Sequence, residues 1–170
     1  MASPRPGTQT GTRLYSPEER QRRDTSVWTL VQGVLAPVQF LAFLVSLVLL
    51  LRYLASGAGE QAAMLSVVVK TALLYLIMVT GSIWEKVVFG RWLFAPAFYW
   101  EDVFSMLVLA LHTAYLVAWA NHALDGRGLA WLALAAYASY VINATQFLLK
   151  LRAARLEHAA SGTSLQGPRA

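Results

Sequence analysis

The chain has 170 residues, of which 57% are hydrophobic and only 14% charged, and it contains no cysteine. Soluble domains carry about 25% charged residues, so this composition argues against a water-soluble globule. The lack of cysteine excludes disulfides, thiolate metal sites, iron–sulfur clusters and a thiol nucleophile. Residues 25–51, 103–124 and 128–149 contain no Asp, Glu, Lys or Arg. A helix of about 20 apolar residues crosses a bilayer, so these stretches predict a polytopic membrane protein.

Taken in chain order, residues 1–15 are rich in Pro, Gly and Thr and are predicted to form a disordered tail. The next residues, Ser-Pro-Glu-Glu from position 16, carry a helix cap, a proline at the first helical position and a capping box. They predict a short basic helix at the membrane surface. The membrane domain is expected over residues 16–158 as an all-α, four-helix transmembrane bundle, followed by a disordered tail at 159–170. Its spans are predicted at about 27–53, 62–88, 100–124 and 129–151.

The basic residues predict the orientation of the four spans. Eleven Lys and Arg residues lie on the side of the two termini, among them Lys86 and Arg91 in the connection between the second and third spans. Arg52 and Arg127 lie on the opposite side, and Lys70 lies within a span. The positive-inside rule therefore predicts that both termini are cytoplasmic. Because the positive charges flank the spans, they indicate contact with anionic lipid and not with nucleic acid.

Polar residues within the spans recur at helical intervals, so those of one span share a face. Unsatisfied polar groups in lipid cost several kcal/mol, and these faces are therefore expected to point into the bundle. Amides and hydroxyls can also simply hydrogen-bond one helix to another, which is the structural alternative for the first and fourth spans. The polar residues concerned are Gln32, Gln39 and Ser46, then Lys70 and Glu85, then Glu101, Ser105 and His112, and finally Ser139, Asn143, Gln146 and Lys150.

The densest chemical feature is the segment 83–102, which contains three carboxylates, two cations and seven aromatic residues. An aromatic belt with solvated ion pairs at the membrane surface would have a similar composition. Glu85 and Glu101, however, belong to the inward faces. Carboxyl groups beside an apolar pocket can supply both a protonated acid and an ionised base. We therefore predict Glu85 and Glu101 as an acid–base pair, with Asp102 tuning them or replacing one.

His112 lies deep within the third predicted span, where an imidazole is usually functional or paired. It could bind magnesium or relay protons, or it could be a hydrogen-bonded core residue. The sequence contains no Walker loop, dinucleotide fingerprint or His-x-x-x-His pair, so no nucleotide or redox cofactor is expected.

Four segments carry a resemblance to a known family. They are YSPEER at 15–20, VWTLVQGVLAPVQFL at 27–41, IWEKVVFGRWLFAPAFYWEDVFS at 83–105 and ALHTAY at 110–115. Together they resemble the 3-vinyl (bacterio)chlorophyllide hydratases of photosynthetic bacteria, over about residues 14–150. The resemblance implies addition of water to the 3-vinyl group of chlorophyllide a or 3-vinyl bacteriochlorophyllide a. The product would carry a 3-(1-hydroxyethyl) group, on the route to bacteriochlorophyll a.

This substrate is a flat apolar ring with a propionate and its own magnesium, so no separate cofactor is implied. The expected partners are the pigment, the lipid bilayer and other enzymes of bacteriochlorophyll biosynthesis. Aromatic residues suit the ring, cations suit the propionate and an imidazole suits the magnesium. The candidate binding residues are Trp84, Tyr99 and Trp100 for the ring, Lys86 and Arg91 for the propionate, and His112 for the magnesium.

A non-catalytic pigment-binding or assembly protein is the alternative. In it, His112 would ligate a chlorophyll and the aromatic residues would form a sleeve around the ring. Holding a pigment requires an axial ligand but no acids, so the clustered carboxylates favour the enzyme.

Overall fold

The structure, a computed structural model, describes residues 14–164, and within this range its regular elements are all helices. The five helices are α1 (Pro17–Thr25), α2 (Val27–Ser56), α3 (Glu60–Phe89), α4 (Tyr99–Ala120) and α5 (Gly126–Ser164). The all-α class predicted from the sequence is confirmed.

Four of these helices are long and apolar enough to cross a membrane: α2, α3, α4 and the part of α5 from Gly126 to Ala153. The four-span, multi-pass architecture expected from the charge-free stretches is therefore confirmed. The last helix continues to Ser164 and therefore extends beyond residue 158, the predicted end of the membrane domain. Residues 151–160 are mostly Ala, Leu, Arg and Glu, which have high helix propensity, so no local signal stops the helix there.

The helix ends follow the local sequence. The Ser16 hydroxyl accepts from the Glu19 N–H at 3.2 Å, and the Glu19 carboxylate accepts from the Ser16 N–H at 2.8 Å, which is the predicted capping box. Gly57 and Gly90 close α2 and α3 with φ of 72° and 78°. Glycine adopts this left-handed conformation without steric cost, and both helices therefore end sharply.

The bundle consists of two antiparallel hairpins. α2 packs along α3 and α4 packs along α5, whereas the two hairpins touch each other through fewer residues. The larger apolar core fills the half of the bundle near the α2–α3 turn, and fully buried alanines there let α5 approach closely. Its central members are Leu50, Val67, Tyr115, Ala130, Ala133 and Tyr137.

A second, smaller core lies at the other end of the bundle, where α1 packs against α3. The buried ring of Tyr15 stacks on Phe89 at 5.7 Å and lies 6.3 Å from Phe98. Burial raises the pKa of the Tyr15 phenol, while the nearby Arg23 guanidinium acts in the opposite direction. Tyr15 belongs to the stretch that its composition predicted to be a disordered tail. Its ring partners are more than 70 residues away, so local composition did not indicate them; residues 1–13 lie outside the described range.

Candidate active site

The loop between α3 and α4 folds back over the end of the bundle and binds two carboxyl groups with its main chain. The Phe94 N–H donates to Asp102 Oδ2 at 2.7 Å, and the next N–H, that of Ala95, donates to Glu85 Oε2 at 3.2 Å. Phe94 has a φ of 58°, which is strained for a bulky side chain. Successive N–H groups arranged around a left-handed residue form a concave anion-binding site. The strained residue therefore directs the loop towards the two acids.

Glu85 and Asp102 form the centre of the site. Their side chains are only 6% and 4% exposed, and the N–H groups of two consecutive loop residues bind the two carboxyl groups next to each other. Two buried carboxyl groups this close repel each other when both are ionised, so their arrangement favours a proton on one of them. Two carboxyls that share one proton present an acid and a base at the same place.

Glu101 has a different environment from its neighbour Asp102. Its carboxylate is paired with Lys150 Nζ of α5 at 2.7 Å. Consecutive helical residues point about 100° apart, so Asp102 faces α3 while Glu101 faces α5. The structure therefore brings Glu85 together with Asp102, whereas helical spacing had predicted Glu101 as the acid–base partner of Glu85.

The three aromatic residues expected to bind a ring fall into two groups. Trp84 is half-buried in the smaller core, 5.7 Å from the Phe89 ring and 5.8 Å from the Phe98 ring, and its Nε1 donates to Thr29 Oγ1 at 2.9 Å. Tyr99 and Trp100 are 47% and 68% exposed. They pack on each other at 5.5 Å on the outside of the bundle. Trp84 thus packs inside the bundle, and the other two face the surroundings.

The two cations expected to bind a propionate are both exposed near the same loop. Lys86 Nζ donates to the Gly90 carbonyl at 2.9 Å and lies 5.9 Å from the Trp92 ring. Arg91 follows the glycine that ends α3. Both side chains are therefore accessible beside the carboxyl pair.

His112 lies away from the carboxyl groups, ten residues from Asp102 and therefore about 15 Å along α4. It is fully buried, with Nδ1 2.8 Å from the Val108 carbonyl and Nε2 2.9 Å from Lys70 Nζ. The Nδ1–H must donate to the carbonyl, so Nε2 accepts from Lys70. Both ring nitrogens are thus engaged with protein groups. Lys70, whose role the sequence left open, also lies 4.0 Å from the Tyr140 ring.

Some groups around the site were not found by sequence reasoning. The Phe94 and Ala95 N–H groups carry no side-chain signature, and only the loop conformation makes them donors to the carboxyls. Lys150 could have been identified from the sequence, because it lies on the inward polar face of the last span. An expected ion pair between Lys150 and Glu101 would have distinguished Glu101 from the two other acids.

The described residues contain no group of three or more His, Asp or Glu side chains arranged to hold a metal ion. A cavity of about 550 Å³ opens at the opposite end of the bundle, with Glu60, Trp119, His122 and Asp125 in its wall. It lies near the start of α3, whereas Glu85 lies near the end, so the cavity and the carboxyl pair are separate sites.

Comparison with known proteins agrees with the sequence resemblance. The family model described as 2-vinyl bacteriochlorophyllide hydratase matches residues 15–153. The chain is 64% identical over 146 residues to a protein of that name from Rhodobacter capsulatus, covering 86% of this chain and 85% of the relative. It is 65% identical over 146 residues to one from Cereibacter sphaeroides, covering 85% and 90%. No solved structure matches. The chain therefore belongs to the 2-vinyl bacteriochlorophyllide hydratase family.

Proposed function

We propose that this chain adds water to the vinyl group of chlorophyllide a or 3-vinyl bacteriochlorophyllide a during bacteriochlorophyll a biosynthesis. The product carries a 3-(1-hydroxyethyl) group. The names 2-vinyl and 3-vinyl number the same ring substituent by different conventions. Family membership supports the reaction, and the buried Glu85–Asp102 pair, bound by two consecutive loop N–H groups, is the observation that supports the chemistry.

The pair accounts for both halves of a hydration. The protonated carboxyl gives its proton to the terminal carbon of the vinyl group, so a C–H bond forms and the π bond breaks. The positive charge that develops on the adjacent carbon is delocalised into the macrocycle and stabilised by the two fixed carboxylates. A water oxygen bonds to that carbon, and its proton passes to one carboxylate, so the pair again holds one proton. Either acid can begin the cycle, no electrons are transferred, and no redox cofactor is required.

The surroundings of the pair suit a membrane-dissolved pigment. Trp84 and Phe98 offer apolar rings near the loop, while Tyr99 and Trp100 face outwards at the start of α4. Lys86 or Arg91 binds the propionate at the exposed loop. A site at the end of the bundle admits water from one side and the pigment from the bilayer. We further propose that other enzymes of the pathway deliver the pigment here.

Isotope labelling tests the reaction. Membranes containing the chain, incubated with 3-vinyl pigment in heavy-oxygen water, are expected to place the label in the new hydroxyl group. In deuterium oxide, one deuterium should appear on the new methyl group, because the acid exchanges its proton with solvent. Mass spectrometry of the extracted pigment measures both. A pigment-binding scaffold would form no product, and oxygen derived from dioxygen, or a requirement for NAD(P)H, would contradict hydration.

We propose that both termini face the cytoplasm and that the membrane is the bacterial inner membrane, with the carboxyl pair on the cytoplasmic side. Reporter fusions after Gly57, Leu93, Gly126 and the C-terminus are then expected to read outside, inside, outside and inside. The eleven-to-two distribution of basic residues supports this orientation. Periplasmic activity of the Leu93 fusion would contradict both the topology and the side on which the site lies.

A further inference from the structure

Asn143 of α5 presents a buried oxygen that the fold does not use. The residue is only 9% exposed, and its Nδ2 donates to Ser105 Oγ of α4 at 2.8 Å. Its Oδ1 has no hydrogen-bond partner among the described residues. Buried polar atoms are rarely left without a partner, so such an oxygen marks a place where another atom binds.

The position of this oxygen is fixed relative to the carboxyl pair. Because Ser105 holds one side of the amide, Oδ1 must point to the other side. Ser105 lies three residues from Asp102 on α4, a rise of about 4.5 Å. The Asn143 amide therefore lies about one helical turn deeper in the bundle than Asp102.

The chemistry of the amide oxygen suits magnesium. Mg²⁺ is a hard cation that prefers oxygen ligands such as carbonyl, carboxylate and water. In a (bacterio)chlorophyllide the four ring nitrogens surround the metal in one plane, which leaves an axial position for a further ligand. A neutral amide can fill that position without burying another negative charge, whereas both nitrogens of His112 already have protein partners.

We propose that Asn143 Oδ1 is the axial ligand of the substrate's magnesium, an inference that rests on the proposed function because it takes the pigment as the ligand. In the macrocycle, the vinyl carbons lie about 6 Å from the metal, which is about one helical turn. Magnesium at Asn143 therefore places the vinyl group at the depth of Asp102. His112 lies about 15 Å along α4 from Asp102, so magnesium bound there would leave the vinyl group far from the Asp102 carboxyl.

The ring then occupies the seam between the two hairpins. Asn143 and Asp102 belong to the α4–α5 hairpin, and Glu85 belongs to the α2–α3 hairpin. The hairpins touch each other through fewer residues than the helices within each hairpin. Separation of the hairpins along this seam exposes the amide oxygen and the carboxyl pair to the same face of a pigment.

Binding measurements that require no turnover test the proposal. The purified full chain in detergent is titrated with 3-vinyl pigment and with the same pigment lacking magnesium, and binding is followed by absorbance and fluorescence. The wild-type chain is expected to bind the magnesium pigment at least about tenfold more tightly. Asn143→Leu should reduce that affinity to the level of the magnesium-free pigment, whose own binding should not change. Asn143→His, which supplies another ligand, should restore the preference.

Gln32→Leu is the matched control, because the Gln32 amide also donates to a hydroxyl, that of Thr80 at 2.7 Å, but its oxygen is not a buried atom without a partner. It should keep the magnesium preference. If Asn143→Leu does not accumulate, Ser105→Ala removes only the bond that orients the amide and should weaken the preference. A magnesium preference that survives Asn143→Leu, or one that disappears in His112→Ala instead, overturns the proposal. If Asn143→Leu loses the magnesium preference but the wild-type chain shows no hydration activity, only the proposed function is overturned.

Discussion

Glu85→Gln and Asp102→Asn are each expected to lower the rate of hydration about 100- to 10,000-fold, the usual contribution of a general acid or base. Each amide keeps the size and an oxygen acceptor for the loop N–H, but neither can supply the shared proton. The measurement is the initial rate of hydroxyethyl pigment formation in membranes, normalised to the amount of protein present. Both variants should accumulate normally, since the helices that carry them are held by apolar packing elsewhere.

Glu60→Gln is the matched control, because Glu60 is a carboxylate of the same helix, hydrogen-bonded to Tyr53 at 3.1 Å at the far end of the bundle. It should leave the rate unchanged. Glu101→Gln separates the two possible pairings: the Glu85–Asp102 pair predicts a smaller loss than in Asp102→Asn. A larger loss in Glu101→Gln would favour the pairing expected from the sequence, and normal rates in Glu85→Gln and Asp102→Asn would move the chemistry elsewhere.

His112→Leu is expected to destabilise the bundle by about 2–3 kcal/mol, because it leaves the buried Lys70 amine without its hydrogen-bond partner. The double variant Lys70→Met, His112→Leu removes both polar groups and should recover most of this loss, since apolar replacement of a buried polar pair is often neutral. Unfolding in detergent, followed by circular dichroism, gives the stabilities for a double-mutant cycle.

The matched comparison is the exposed bond between Tyr75 and Thr113 at 2.8 Å, which joins the same two helices. Thr113→Val should cost less than about 1 kcal/mol, because a side-chain hydrogen bond between membrane helices contributes about 0.6 kcal/mol on average. Losses that simply add in the Lys70–His112 double variant would show that the two side chains do not depend on each other.

Most of the fold could be predicted from the sequence because the bilayer allows few solutions. A charge-free stretch of about 20 residues must form a helix in lipid, where every main-chain polar group needs an internal partner. The four spans accordingly lie within a few residues of their expected bounds. Tyr15 was placed wrongly because its order depends on Phe89 and Phe98, and such long-range packing leaves no trace in local composition.

The candidate site could be predicted only in part. Helical spacing placed Glu85, Glu101 and His112 on inward faces, and all three are buried. Spacing along one helix does not reveal which neighbouring helix a residue meets, so the partners Asp102 and Lys70 emerged only from the packing. The depth of His112 below Asp102 follows from ten residues of helical rise, whereas its pairing with Lys70 was not apparent from the sequence.

The loop N–H groups that hold the two acids have a consequence for engineering the protein. Because the main chain of residues 94 and 95 holds the acids, their alignment does not depend on the exposed side chains elsewhere in the loop. Trp92 is 60% exposed on the same loop and takes no part in that anchoring. Its side chain can therefore be varied to select pigments of different shape while the proton-transfer groups stay in place. Recognition and reaction can be altered separately, with proline at position 95 the one replacement that would abolish the Ala95 N–H bond to Glu85.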